Sequence, residues 1–148
     1  MKKLLILLIV LTACATEEQH TNTVDKLRVL QIVNDIRARG YANYKPVSAL
    51  SWCDTMEEAA FMQASYMHRT GDYSHVWDDN TGLFDRLRVC GFYGTGGENI
   101  AWGFKLEDNV MEAWVNSEGH LKTIMDKQYN AVGVARVGDC WAMVVCKK

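Results

Sequence analysis

The stretch AVGVARVGDCWAMVVC, residues 131–146, decides the fold of this chain. Apolar positions such as Val132 and Val134 alternate in its first half, its second half is almost wholly apolar, and Gly138 and Asp139 stand between the two halves. Two segments of this kind, joined by a two-residue glycine turn, are typical of a β-hairpin. We therefore expect two adjacent antiparallel strands at the end of the chain.

Two long helical patterns precede the hairpin. Apolar residues recur at helical spacing through residues 24–39, which predicts an amphipathic helix with one buried face. A second helix is predicted after Ser51, which stands three residues before Asp54 as a weak capping box. This helix should end at Gly71, because a glycine there can take the left-handed conformation that closes a helix.

The middle of the chain alternates short elements with turns. A short helix is predicted between residues 83 and 91, another helix begins at residue 107, and a short strand is indicated near residue 100. Helices that precede a hairpin in this way predict an α+β layered domain.

The composition is that of one compact domain. The 148 residues include one proline, 49% are hydrophobic and 23% are charged, so the chain can bury a single core and is not disordered. Sixteen basic residues against 18 acidic ones give a formal net charge of -2, and the two adjacent lysine pairs stand at the ends of the chain. This pattern argues against nucleic acid as a partner, because nothing in it could neutralise a row of phosphates.

The N-terminus resembles a bacterial lipoprotein signal. Two lysines precede the apolar residues 4–11, a run much shorter than the roughly 20 residues that a membrane-spanning helix needs. The sequence LTAC at residues 11–14 follows and resembles the lipobox, which implies cleavage before Cys14 and acylation of that residue. A plain secretory signal with an incidental Cys14 is the alternative.

These features divide the chain into a signal peptide at residues 1–13, a lipidated cysteine with a polar tether at residues 14–23, and a folded domain at residues 24–148. We expect the protein at the bacterial cell envelope, exported and anchored to the membrane through the lipid on Cys14.

Four cysteines fall in the predicted domain, namely Cys53, Cys90, Cys140 and Cys146. An even number in an exported chain favours two disulfides. Cys140 and Cys146 stand on one predicted strand, about 20 Å apart, whereas a disulfide needs its Cα atoms within about 7 Å. Each of them should therefore pair with Cys53 or Cys90, in an order that the sequence leaves open.

The residues that could carry chemistry are His75, Glu98, Ser117 and His120, which stand beside small or glycine positions. Two imidazoles and a carboxylate are a donor set suited to Zn²⁺ or a similar divalent cation. The same three groups could act as acid and base in a hydrolysis. Ser117 stands three residues before His120 at a helix end, where a serine more often caps the backbone than acts as a nucleophile.

An ordered set of short motifs then gives the chain a family resemblance. The chain resembles the CAP superfamily, also called SCP or PR-1-like, in its compact bacterial form. The matching motifs run in family order over most of the predicted domain: NDIR (34–37), LSW (50–52), SH (74–75), RL (86–87), GFY (91–93), GENIA (97–101), WVNSEGH (114–120) and YNAVGV (129–134).

The resemblance implies an α-β-α sandwich with a central cleft lined by two histidines and two acidic residues. His75, Glu98 and His120 match three of these four positions, while Ser117 stands where the family usually has a glutamate. Family members are linked to sterol or lipid binding, divalent-cation binding, defence and signalling, and no common reaction is established for them.

The favoured function is therefore an extracytoplasmic, lipid-anchored binding module whose cleft holds a divalent cation or a small-molecule, lipid or protein ligand. The alternative is a metal-assisted hydrolase, such as a peptidase, that uses His75, Glu98 and His120. A third hypothesis gives these residues only a structural role, joining helices and sheet through hydrogen bonds. No catalytic nucleophile is assigned.

Overall fold

The computed structural model describes residues 21–148. The signal peptide, Cys14 and residues 15–20 of the tether lie outside the described residues. In chain order the elements are α1 (Lys26–Arg39), β1 (Ser51–Trp52), α2 (Asp54–Thr70), α3 (Leu83–Val89), β2 (Gly96–Trp102), α4 (Glu107–Val115), α5 (Glu118–Met125), β3 (Ala131–Val137) and β4 (Cys140–Cys146). Within the described part of the chain, no helix combines the length and apolar character needed to cross a membrane.

The predicted hairpin is confirmed as the centre of a four-stranded sheet. β3 and β4 pair in antiparallel fashion, with Val137 opposite Cys140 and a turn at Gly138, which has a φ of 61°. β2 lies antiparallel to β4 and forms one edge of the sheet, while the two-residue β1 lies parallel to β3 at the other edge.

Helices cover both faces of this sheet. Trp141, Met143 and Val145 of β4 point into a core shared with α1, α4 and α5. The intervening Ala142 and Val144 point into a second core shared with α2. Because both faces of β4 are covered, its sequence is a continuous apolar run rather than an alternating one. The α+β, α-β-α sandwich is confirmed.

Helix α2 lies unusually close to the sheet at Gly133. A Cβ at this position would stand 1.9 Å from the backbone nitrogen of Glu57 and 2.3 Å from the carbonyl carbon of Met56. Both atoms belong to the main chain and cannot move aside independently. The close approach of helix and strand therefore requires a residue without a side chain at position 133.

The helix boundaries differ in part from those predicted. α1 begins at Lys26 rather than residue 24, because the Asp25 side chain accepts a hydrogen bond from the Arg28 amide and caps the helix there. The capping box at Ser51 is wrong: Ser51 belongs to β1, where it lies opposite Ala131. Gly71 ends α2 in the left-handed conformation, as predicted.

The two disulfides expected from the sequence are not formed, since all four cysteines are free thiols. The Cys90 Sγ atom lies 3.9 Å from Met62 Sδ, and Cys140 and Cys146 lie at opposite ends of β4. Burial is the main cause that raises the pKa of both Cys140 and Cys146 to about 11. These two cysteines thus pack as small apolar residues with protonated thiols.

The segment that leads into α1 lies along β3. The Asn22 side chain accepts a hydrogen bond from the Arg136 amide at 2.9 Å and donates one to the Val134 carbonyl at 3.1 Å. The Thr23 amide donates to the Arg136 carbonyl at 3.2 Å. Asn22 and Thr23, which the sequence assigns to the tether, are therefore joined to the sheet where the short β1 leaves β3 uncovered.

Candidate functional site

The four residues singled out in the sequence come from both sides of strand β2. Glu98 lies within β2, His75 lies in the segment between α2 and α3, and Ser117 and His120 lie at the start of α5. Because β2 is an edge strand, residues from the two helical layers can approach each other around it. The charge of His75 reaches His120, where it adds to burial in lowering the pKa of His120.

The best-defined part of the site is the carboxylate of Glu98. Its Oε1 atom lies 2.9 Å from Nδ1 of His75, and its Oε2 atom accepts a hydrogen bond from the guanidinium of Arg86. The side chains of Arg86 and Glu98 are 0% and 3% exposed, whereas that of His75 is 52% exposed. The pair of Arg86 and Glu98 is therefore a buried salt bridge that presents one histidine to solvent.

Arg86 is also fixed by the segment that carries His75. Its guanidinium donates to the His75 carbonyl at 3.4 Å and lies 5.5 Å from the centre of the Trp77 ring. Its Nε atom is buried without a hydrogen-bond partner among the described residues. This arginine holds both the acid and the backbone of the histidine that contacts the acid.

The fully buried Gln63 of α2 holds the same segment from the other side. Its amide nitrogen donates to the Ser74 carbonyl, and its amide oxygen accepts from the Trp77 indole, both at 2.8 Å. Residues 74–77 are thus tied at both ends to the helix that precedes them. His75 has little freedom to move away from Glu98 as a result.

His120 is placed by a different set of contacts. The buried Asn99 side chain donates to the His120 carbonyl at 3.0 Å, which joins β2 to α5. α4 ends at Val115 and α5 begins at Glu118, so that Ser117 occupies the capping position of α5. The Ser117 hydroxyl makes no capping hydrogen bond there. The sequence correctly places Ser117 at a helix end, where it lines the same cavity as His120.

Two cavities adjoin these residues. One has a volume of about 240 Å³ and a mainly apolar lining, formed by Ile100, Ala101, Trp102, Phe104, Ala113, Trp114, Ser117 and His120. The other, of about 600 Å³, contains His75 and Glu98 together with residues from the start of α3. At the rim of the apolar cavity Trp102 stacks on Tyr73 with 4.3 Å between ring centres. The four predicted residues are thus divided between two neighbouring cavities.

Comparison with known proteins places this fold and cleft in a family. The family model described as CAP, the cysteine-rich secretory protein family, matches residues 30–147. The chain belongs to this family.

Relatives of this CAP domain are found among bacterial proteins. The uncharacterized protein YkwD of Bacillus subtilis (strain 168) is 34% identical over 91 residues, which cover 60% of this chain and 35% of that protein. The chain therefore spans about a third of that relative's length.

Solved structures show the same fold. An extracellular protein from Bacillus anthracis that contains an SCP domain superimposes with a TM-score of 0.75, at 25% identity, over 82% of this chain and 40% of that one. An outer surface protein from Borrelia burgdorferi superimposes with a TM-score of 0.70, at 19% identity, over 87% of this chain and 98% of that one.

The donor set proposed for a metal in the CAP cleft fits an ion only in part. His75 and His120 carry imidazoles at the cleft, but both carboxylate oxygens of Glu98 already have partners in His75 and Arg86. Within residues 21–148, the set of three histidine, cysteine or acidic ligand atoms that lie within 4.8 Å of one another does not include any of these residues. A metal bound by His75, Glu98 and His120 stays a prediction, and it requires Glu98 to leave one of its partners.

Sequence reasoning missed the residues that hold the site, above all Arg86 and Gln63. Arg86 appears in the sequence only as part of a family motif, within a short helix that also carries Leu83 and Leu87. A usable signal is the position of Arg86 itself, because it stands three residues after Leu83, on the helix side that faces the core. A charged residue at a core-facing position requires a buried partner.

Proposed function

We propose that this CAP domain is an exported binding module that holds a ligand in the cleft beside β2, with an apolar part of the ligand in the cavity next to His120. The observation that carries this proposal is the engagement of the Glu98 carboxylate by other residues of the chain. Its carboxylate is buried, and both of its oxygens are already engaged by His75 and Arg86.

The engaged carboxylate argues for binding rather than hydrolysis. A general base must accept a proton from a water or substrate within hydrogen-bond reach. The guanidinium of Arg86 compensates the charge of Glu98 and remains paired with it in the interior, where breaking a buried ion pair is costly. Glu98 is therefore better suited to fixing the orientation of His75 than to handling a proton or an ion.

The cavity beside His120 limits the size of what binds. Its volume of about 240 Å³ is below the roughly 300 Å³ at which pockets for drug-sized ligands begin. It suits one aromatic or branched aliphatic group, supplied by a small molecule, a lipid or a protein side chain. The depressed pKa of His120, caused mainly by burial, keeps its imidazole neutral, so that it can exchange a hydrogen bond with the polar part of the ligand.

Export and anchoring complete the proposal. The signal-like N-terminus and Cys14 in its lipobox-like sequence support secretion and lipidation. Similar solved structures are described as an extracellular protein and an outer surface protein. The domain would then act at the bacterial cell envelope, held to the membrane through Cys14.

Indole, used as a probe for one aromatic group, tests the binding site. The full chain held in phospholipid nanodiscs would be titrated with indole while the amide signals of Trp102 and Ser117 are followed by NMR. In Ala113→Leu the added methyl groups fill the cavity, and we expect the affinity for indole to fall at least about tenfold, the effect of roughly 1.4 kcal/mol. Ala38→Leu makes the same chemical change on the exposed side of α1 and should leave the affinity unchanged.

The same samples separate the alternative function. If Ala113→Leu binds indole as well as the parent chain does, or if indole moves neither signal, the apolar cavity is not the binding site. Calorimetric titration with Zn²⁺ then decides the hydrolase alternative. Loss of one equivalent of bound Zn²⁺ in the folded double variant His75→Ala, His120→Ala would replace our proposal with a metal site in the cleft.

A further inference from the structure

A second cluster of ligand-type side chains lies outside the cleft, at the closed end of the hairpin. His68 lies in the last turn of α2, while Asp139 and Cys140 lie at the turn between β3 and β4. One ring nitrogen of His68, a carboxylate oxygen of Asp139 and the sulfur of Cys140 all lie within 4.8 Å of one another. Three donor atoms of different chemical type thus converge from two elements that are distant in sequence.

Gly138 gives the histidine its place at the turn. A Cβ on Gly138 would stand 2.6 Å from both Nδ1 and Cε1 of His68. The glycine also has a φ of 61°, which residues with side chains rarely adopt. The imidazole therefore lies directly against the turn, and any other residue at this position would displace it from Asp139 and Cys140.

The arrangement is close to what a tetrahedral ion requires. Zinc binds nitrogen and oxygen at about 2.0 to 2.2 Å and sulfur at about 2.3 Å, so its ligand atoms stand roughly 3.5 Å apart. The three atoms observed here lie within 4.8 Å of one another, so they need to approach by about 1.3 Å at most to reach that spacing. His68 and Asp139 are exposed, so side-chain rotation can bring them closer without disturbing the core.

Cys140 supplies a sulfur ligand next to the carboxylate of Asp139. Its sulfur is 3.9 Å from Oδ1 of Asp139, and the side chain is buried against α2. A divalent ion bound here would release the thiol proton to solvent and would balance the charges of both the thiolate and Asp139.

We propose that His68, Asp139 and Cys140 form a site for a divalent transition metal of the zinc type, with three protein ligands and a fourth position open to water. Nitrogen and sulfur donors favour zinc and its neighbours over calcium or magnesium, which take oxygen ligands. The site is independent of the cleft, because it shares no residue with His75, Glu98 or His120.

Cobalt substitution tests the site directly, because Co²⁺ bound to a thiolate gives a charge-transfer band that nitrogen and oxygen ligands do not give. The full chain in phospholipid nanodiscs, with its thiols reduced, would be titrated with Co²⁺ and then with Zn²⁺ as competitor. We expect one equivalent of Co²⁺ to produce the thiolate band and Zn²⁺ to remove it.

Matched variants assign the ligands. Cys140→Ser should abolish the thiolate band, and His68→Gln, a change at an exposed residue, should weaken the affinity for Co²⁺ by more than about tenfold. Cys90→Ser removes a thiol elsewhere, and His75→Gln alters the cleft, so both should leave the titration unchanged. The proposal is overturned if no thiolate band forms, or if the band and the affinity survive in His68→Gln.

Discussion

Two fully buried arginines, Arg37 in α1 and Arg86 in α3, have different kinds of hydrogen-bond partner. Arg37 donates to main-chain carbonyls only, those of Ser48, Ile124, Asp126 and Tyr129. Arg86 donates to the carboxylate of Glu98 and to one carbonyl, and its Nε atom is buried without a partner among the described residues.

The difference separates a structural arginine from a site arginine. The carbonyls that Arg37 binds include two at the C-terminal end of α5, where the helix dipole favours a positive charge. Its hydrogen bonds connect α1 with the loop before β1, the end of α5 and the segment before β3, and its acceptors are main-chain carbonyls. Arg86 instead supports an acid that touches an exposed histidine, so its charge acts on the chemistry of the cleft.

Replacing Arg37 should produce the largest effect. In Arg37→Met the side-chain volume is kept, but four carbonyls lose their donor, and leaving buried polar groups unpaired costs about 1 to 3 kcal/mol each. We expect the free energy of unfolding to fall by about 4 kcal/mol, measured by urea denaturation. Arg39→Met, on the exposed side of the same helix, should change it by less than about 0.5 kcal/mol. Equal effects of the two variants would show that Arg37 is not a structural centre.

Replacing Arg86 should cost less and should depend on Glu98. Arg86→Met leaves the buried carboxylate with the exposed His75 as its remaining partner, for which we expect a loss of about 3 kcal/mol in the free energy of unfolding. In the double variant Arg86→Met, Glu98→Gln no charge is left uncompensated, so a double-mutant cycle should return a coupling energy of at least about 1 kcal/mol. Arg88→Met removes an exposed arginine of the same helix and serves as the control. A coupling energy near zero would mean that the two groups do not depend on each other.

The smallest expected effect concerns His120 in the cleft, and it is a change in the pH dependence of stability. Because burial lowers its pKa in the folded chain below the ordinary value of 6.5, the unfolded chain takes up a proton first as the pH falls. Stability should therefore decrease below about pH 6.5 until the folded histidine also titrates. The variant His120→Gln should lack this part of the pH dependence in urea denaturation curves.

The control for His120 is His75→Gln, which removes only the second cause of the shift. It should retain most of the slope, because burial of His120 is unchanged. If stability of the His120→Gln variant falls with pH as steeply as that of the parent chain, the imidazole is not desolvated in the folded state.

The elements that local pattern determines were predictable. The hairpin needs only its own residues, because alternation and the turn at Gly138 specify it. The strand near Ile100 and the end of α2 at Gly71 were likewise predicted. Strand β1 was not predicted, because two residues are too few to show a periodic pattern. Ser51 and Trp52 form a strand only because they pair with β3.

The residues of the candidate site were predictable, but the hydrogen bonds and ion pairs between them were not. The family resemblance identified His75, Glu98 and His120, yet nothing local to Arg86 says that it will reach across to Glu98. The prediction of two disulfides was wrong for a related reason. An even number of cysteines in an exported chain favours disulfides in general, whereas a bond forms only between thiols that the fold brings together. The fold places Cys90 beside Met62 rather than beside another cysteine.

The strand order β1-β3-β4-β2 also separates the cleft from the point where the preceding chain enters the domain. Asn22 and Thr23 join the domain along β3, and the cleft lies at β2, two strand spacings away, or about 10 Å. A partner that engages the cleft at β2 would therefore approach the edge of the sheet opposite to the one where Asn22 and Thr23 enter the domain.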